Sequence, residues 1–347
     1  MTGRRRLVAP LLALALAAGA LSGCSVVHDA AVWKTPSPGA GAGGATASGS
    51  GTSAQPSPSA PPYDVRPLVN PPRKYLGVEM PGAPDSIAPV QQFASWVGKK
   101  PNILGQYVGW NSGLDVQAVK NAWSYGALYF QVWEPFNITT QQIADGASDD
   151  YVNRFAASVR ALNLPIALSF GHEMNGDWYP WGTKQTTPAQ FVAAWRHVHD
   201  LFVKDGATNV IWIWNPNDIH PVPDVKLKPL YPGDAYVDWV GVTAYWSSSG
   251  GPHAYSTLLL PTLLQIRTFT DKPFIVAETS AEPGTNQVSS VHALFNAVET
   301  HPDILGFVWY DFHRQGDWRL ENRPTVQAAF RSEATSSQFG FTVSATR

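Results

Sequence analysis

Two glutamates, Glu173 and Glu278, occupy matching places in the chain, and their surroundings suit them to chemistry. Each follows a short apolar run, Pro165-Ile-Ala-Leu-Ser-Phe170 before the first and Pro273-Phe-Ile-Val-Ala277 before the second. Such runs read as buried strands. Glu173 lies within Phe170-Gly-His-Glu-Met-Asn-Gly-Asp-Trp-Tyr-Pro-Trp-Gly182, beside a histidine and an asparagine and just ahead of three aromatics. Two carboxyls at strand ends among indole rings are what hydrolysis of a glycosidic bond requires: one protonates the leaving oxygen and the other attacks the anomeric carbon. With retention of configuration the pair stands about 5–5.5 Å apart. The two roles need different surroundings. The acid keeps its proton when apolar groups raise its pKa, whereas the nucleophile stays ionised when donors face it. Trp178 and the aromatics near it suit Glu173 to the first role, and Tyr245, at the end of a later strand, is a donor for Glu278 in the second.

Residues so distant in sequence meet only if their strands end on one face. Strands are expected over 74–79, 102–108, 126–132, 165–170, 209–214, 237–244, 273–277 and 304–309. Amphipathic helices are expected between and after them, over 85–97, 114–124, 149–162, 187–204, 255–269, 288–300 and 325–332. Thr187-Pro188 is a helix start with proline at the first position. Eight strands alternating with helices over about 260 residues predict an α/β fold, a (β/α)8 TIM barrel, whose strand ends all open onto one mouth. A doubly wound open sheet is disfavoured because no glycine-rich phosphate loop follows the first strand.

The 347 residues include 14% charged side chains and carry a net charge of -2, with no basic stripe, which argues against a nucleic-acid partner. The N-terminus reads as an export signal: Arg4-Arg5-Arg6, an apolar stretch from Leu7 to Leu21 too short to span a membrane comfortably, then Leu21-Ser22-Gly23-Cys24. The last four residues resemble a bacterial lipobox, and Cys24 is the single cysteine of the chain. The expectation is a lipid-anchored protein on the outer face of the cell membrane. The domains expected are a lipoprotein signal peptide over 1–23, a lipidated Cys24 and Gly/Ala/Ser/Pro-rich tether over 24–70, the barrel over 71–334 and a polar tail over 335–347.

The barrel segment resembles glycoside hydrolase family 26, of clan A. The resemblance runs in order through Gly98-Lys-Lys-Pro101, Tyr107-Val-Gly-Trp110, Trp133-Glu-Pro135, His172-Glu-Met-Asn-Gly-Asp-Trp178, Trp195-Arg-His-Val-His199, Asn209-Val-Ile-Trp212, Tyr231-Pro-Gly-Asp234, Val237-Asp-Trp-Val-Gly241, Glu278 and Asp317-Trp-Arg319. It implies a retaining endo-acting glycosidase on β-linked polysaccharide, with β-1,4-mannan expected because mannanases dominate the family. It also implies no cofactor or metal, and a monomer is expected. By the resemblance Glu173 is the acid/base, Glu278 the nucleophile, His172 and Tyr245 their support, and Trp178 and Trp309 platforms for the sugar. Trp110, Trp133, Glu134 and Asn175 complete the substrate-lining set, Asn175 also orienting Glu173. Two positions depart from the family pattern: Ser169 where many relatives carry arginine, and Thr243 where many mannanases carry aspartate. Both remove charge beside the carboxyl pair and leave open a β-1,3-1,4-glucan or β-1,3-xylan substrate, or a non-catalytic carbohydrate-binding lipoprotein. A zinc-protease reading fails, because Gly176 stands where the second histidine would be needed.

Overall fold

A computed structural model describes residues 61–248, 251–314 and 316–346. Signal peptide, lipidated Cys24 and most of the tether therefore lie outside the described residues. The eight strands are β1 (Tyr75–Glu79), β2 (Ile103–Gly109), β3 (Leu128–Glu134), β4 (Ile166–Phe170), β5 (Val210–Trp214), β6 (Trp239–Thr243), β7 (Phe274–Thr279) and β8 (Ile304–Tyr310). All neighbours are parallel and β8 pairs with β1, so the sheet closes in the order expected. The strands are buried on both faces, one towards the barrel axis and one towards the helices, which is why they read as nearly continuous apolar runs.

The helices are α1 (Arg66–Val69), α2 (Ala88–Val97), α3 (Val116–Tyr125), α4 (Thr140–Ala144), α5 (Asp149–Leu162), α6 (Pro188–Asp205), α7 (Tyr255–Leu258), α8 (Leu260–Arg267), α9 (Gln287–Thr300) and α10 (Pro324–Ala334). Their starts follow local chemistry. Asp115 accepts from the Ala118 N–H at 2.9 Å, and Thr187 and Gln190 form a reciprocal capping box ahead of α6. Glycines 98, 126 and 206 end α2, α3 and α6 in the left-handed conformation. The single helix expected over 255–269 is two, because Pro261 lies near the start of α8 and cannot continue α7. The helix expected from Asp85 begins at Ala88.

Two apolar cores result. One fills the space between sheet and helices; the other lies inside the barrel, built from Tyr75, Ile103, Phe130, Ala167, Ile213, Trp239 and their neighbours. The second core includes Leu68 and Val343, both fully buried. Residues 61–70, placed with the tether, and 335–346, placed with the polar tail, contribute to this packing. Tyr75 donates its hydroxyl proton to the Leu68 carbonyl, Trp239 donates to that of Val69, and Tyr63 donates to that of Thr346. These segments join the core at the end of the barrel where the strands begin.

Candidate active site

Strand alternation decides which side chains reach the mouth. On β3, Leu128, Phe130 and Val132 face the barrel interior, so Glu134 does too, while Trp133 faces the helices. On β1 the same rule, following Tyr75, turns Glu79 inward. β7 breaks the rule. Ile275 and Ala277 face the interior, and regular alternation would send Glu278 outward. An extra residue corrects this: Gly241 pairs with Ile275, but Thr243, two residues on, pairs with Glu278, three residues on. The bulge turns Glu278 into the mouth.

Glu173 arrives by a different device. After β4 the chain turns sharply, with Gly171 and Glu173 both at positive φ, 58° and 53°. A left-handed conformation at a glutamate costs about 1 kcal/mol or more, a strain that concentrates at working sites. The Glu173 N–H donates to the Asn215 carbonyl at 2.7 Å, fixing the turn to the end of β5. Its side chain accepts two hydrogen bonds, from Trp178 Nε1 at 2.7 Å and from Asn217 Nδ2 at 2.5 Å. Glu278 accepts from Tyr245 at Oε1 and from Tyr107 at Oε2, each at 2.5 Å. Burial, then the charge of Glu278, pushes the Glu173 carboxyl well above the usual carboxylate range, while the Asn217 and Trp178 bonds oppose the rise. The two glutamates therefore sense each other across the mouth, and hydroxyl donors face one while an indole and an amide face the other. Such a pair is equipped for proton transfer to an oxygen and for attack on an electrophilic carbon.

Two more buried carboxyls share the mouth. Glu134 and Glu79 are both raised well above the usual range, each chiefly by burial and then by the charge of Glu278. Glu134 is fully buried at the end of β3. Trp178 and Tyr245 are part-exposed and touch the two central glutamates directly.

Other expected lining residues stand elsewhere. Trp309 is fully buried on the helix side of β8, its ring edge-on to Phe330 of α10 at 5.3 Å, because Val308 and Tyr310 take the inward positions. Trp133 is likewise buried, stacked on Phe155 of α5 at 4.6 Å, with the Trp110 ring 4.5 Å away. All three belong to the core between sheet and helices and offer no sugar platform. His172 is fully buried behind Tyr107 and Tyr179, and its carbonyl accepts from Trp181 Nε1. Asn175 is also fully buried. It grips Asn217 with two hydrogen bonds, to its carbonyl at 2.9 Å and from its N–H at 2.8 Å, and so acts on Glu173 through that neighbour.

The sequence reading missed Tyr107, Asn217, Tyr310 and Trp318 as site residues. Tyr310 replaces Trp309, one position along β8, and Trp318 packs on Tyr245 at 4.9 Å. Strict alternation along β8 was the available signal for Tyr310, and the Asp317-Trp-Arg319 motif was the signal for Trp318. Glu282 is half-buried and accepts from Ser247 and Ser248, pinning the loop after β6. Beside the mouth, beyond β1 and β8, a groove of about 650 Å³ is lined by Met80, Trp96, Asp311 and Arg319 among others.

The family model described as Glycosyl hydrolase family 26 matches residues 115–261. Endoglucanase H of Acetivibrio thermocellus is 30% identical over 262 residues, covering 72% of this chain and 29% of that protein. Mannan endo-1,4-beta-mannosidase A and B of Caldalkalibacillus mannanilyticus is 25% identical over 276 residues, 65% of this chain and 51% of that protein. The chain thus spans about half or less of these two relatives. Among solved structures, the catalytic domain of the Bacillus sp. JAMB-750 GH26 endo-beta-1,4-mannanase superposes with a TM-score of 0.62 at 18% identity, covering 80% of this chain and 90% of that one. The modular endo-beta-1,4-mannanase of Cellulomonas fimi gives 0.60 at 16% identity, covering 80% and 74%. At such identities these two likenesses speak for the fold. The middle of the barrel, residues 115–261, is therefore what the chain shares with glycosyl hydrolase family 26.

Proposed function

We propose that the protein is an endo-acting, retaining glycosidase that cleaves β-linked polysaccharide, with β-1,4-mannan as the first substrate. The observation that carries the reading is the contrast between two glutamates in one mouth: Glu173, whose burial raises its carboxyl well above the usual range and which faces an indole and an amide, and Glu278, faced at both oxygens by tyrosine hydroxyls. In this scheme Glu278 attacks the anomeric carbon while Glu173 passes its proton to the departing glycosidic oxygen. The bond from anomeric carbon to Glu278 forms as the bond to the leaving sugar breaks. Glu173, now ionised, takes a proton from water, and the water oxygen displaces Glu278 with net retention. Trp178 and Asn217 hold the acid in place, and Trp178 and Tyr245 offer part-exposed ring surface to the sugar.

Mannan is supported by the names of several relatives and of the superposed structures. A second reading, β-glucan, is favoured by a specific observation. The relative matched at 30% identity over 72% of the chain is an endoglucanase. In addition, the inward positions that bear arginine and aspartate in many mannanases hold uncharged Ser169 and Thr243, both fully buried. Thr243 Oγ1 is occupied by the Asn215 amide. Reducing-end release from mannan, mixed-linked β-glucan and β-1,3-xylan separates the readings, and binding without released ends on every polymer would contradict both. On the preferred polymer Glu278→Ala should abolish turnover. Glu173→Ala should slow it by about a hundredfold or more, and spare aryl glycosides whose leaving group departs without a proton. Full activity of Glu173→Ala on polysaccharide would remove it from the acid role.

The export and anchoring expected from residues 1–24 form part of the proposal: a protein carried outward and held to the membrane by acylated Cys24. Cys24→Ala should move it from the membrane to the soluble fraction of cells expressing the full chain.

A further inference from the structure

Glu79 ends β1 inside the mouth, yet the double-displacement scheme gives it no task. It is fully buried and shares a partner with Glu278. The Tyr107 hydroxyl lies 2.6 Å from Glu79 Oε2 and 2.5 Å from Glu278 Oε2. Two hydrogen bonds need two protons, and a phenol carries one. The second proton must sit on a carboxyl. Glu278 takes another hydroxyl proton from Tyr245 at its other oxygen, so it is the acceptor of the two. Glu79 Oε1 accepts no hydrogen bond from the described residues, which a neutral carboxyl tolerates far better than a buried carboxylate. Space for the side chain comes from Gly105 on β2, where a Cβ would collide with Glu79 Cγ.

We propose that Glu79 is a protonated positioning residue: its proton goes to the Tyr107 oxygen, which commits the Tyr107 proton to Glu278 and keeps the nucleophile hydrogen-bonded at both oxygens. The proposal rests on Glu278 being the nucleophile. Burial, then the charge of Glu278, raises the Glu79 carboxyl well above the usual range, and the Tyr107 hydrogen bond opposes the rise, with the charge of Glu134 adding a smaller push. The other groups facing this link are Tyr310 from β8 with Asp311 next to it, Arg314 beyond them, and His172, whose ring lies 6.0 Å from that of Tyr107. When Glu79 ionises, Tyr107 has one proton for two carboxylates, and a second negative charge stands beside Glu278. Activity then falls on the alkaline side for a reason separate from deprotonation of Glu173.

The test uses an aryl glycoside with a dinitrophenolate leaving group, which needs no proton from Glu173, so that group drops out of the pH profile of kcat/KM. The wild-type protein should still lose kcat/KM at high pH. Glu79→Gln, whose amide donates to Tyr107 without titrating, should move that loss upward by about one pH unit or more. Tyr107→Phe cuts the link while leaving both carboxyls. It should lower kcat/KM by about ten- to a hundredfold and flatten the same fall, and Glu79→Gln added to it should change the profile no further. An unchanged midpoint in Glu79→Gln would overturn the proposal, as would a wild-type profile flat at high pH on this substrate. Should Glu79→Gln not fold, an unchanged profile in Tyr107→Phe decides against it equally. Turnover by Glu278→Ala is a separate result, and it would overturn the reading on which the proposal rests.

Discussion

Glu173 and Glu278 carry one functional group in two settings, and their immediate partners set the difference. The amide of Asn217 and the indole of Trp178 donate to Glu173 and hold its carboxyl lower than burial alone would leave it. Removing Asn217 should therefore raise the acid further. In Asn217→Ala the alkaline limb of the pH profile on polysaccharide is expected at higher pH than in wild type, with kcat lower by about tenfold or more because the carboxyl is less well aimed. A limb that moves downward would contradict the assignment of these donors. The two glutamates, Trp178 and Tyr245 were expected together from the sequence, and hydrogen bonds join Trp178 to Glu173 and Tyr245 to Glu278. Asn217 was not expected, because its role depends on the left-handed turn at Glu173, and nothing in His172-Glu-Met-Asn175 announces that turn. Asn175 illustrates the same limit: it stands beside the acid in sequence, yet its hydrogen bonds go to Asn217.

The barrel strands were legible to within a residue or two at most ends, because runs buried on both faces are apolar from end to end. That same uniformity hides which residues face inward. Trp309 was expected as a platform by resemblance and Trp133 and Trp110 as lining residues, but alternation along β8 and β3 turns the first two towards the helices. Irregularities carry the rest of the site. The extra residue on β7 turns Glu278 inward, and an offset on β8 accompanies Gly306, whose φ is 155°. A Cβ at Gly306 would run into the Tyr75 backbone of β1. Gly306→Ala should lower stability by about 3 kcal/mol or more in denaturant unfolding. Gly113→Ala, where a Cβ meets nothing within 4 Å, is expected to change it by about 0.5 kcal/mol or less. Equal effects at the two positions would deny that β8 is held this closely to β1.

At the scale of the whole molecule, the mouth concentrates carboxyls that folding makes harder to ionise: Glu79, Glu134 and Glu173, with Asp311 pushed up to about 7 beside them. At pH below the ordinary carboxylate value of about 4 the folded and unfolded chains both hold these protons. Above it the unfolded chain releases them first, so the folded state binds more protons and stability falls as pH rises towards the raised values. Glu134→Gln should therefore stabilise the protein at about pH 7, by the order of 1 kcal/mol or more, and gain little near pH 4. A gain of the same size at both pH values would show that folding does not raise the Glu134 carboxyl. The opposite end of the barrel is packed by Leu68 and Val343, from segments whose glycine- and serine-rich neighbours in sequence made them look unstructured. Stability is thus gathered at the end where the strands begin and given up where they finish. The central claim is that Glu278 forms the bond to the sugar, and trapping that bond tests it most directly. A slow fluorosugar glycoside, incubated with the intact protein and followed by mass spectrometry of its peptides, should leave one sugar on Glu278. A label on Glu79, Glu134 or Glu173, or no label from a glycoside that the protein turns over, would contradict the account.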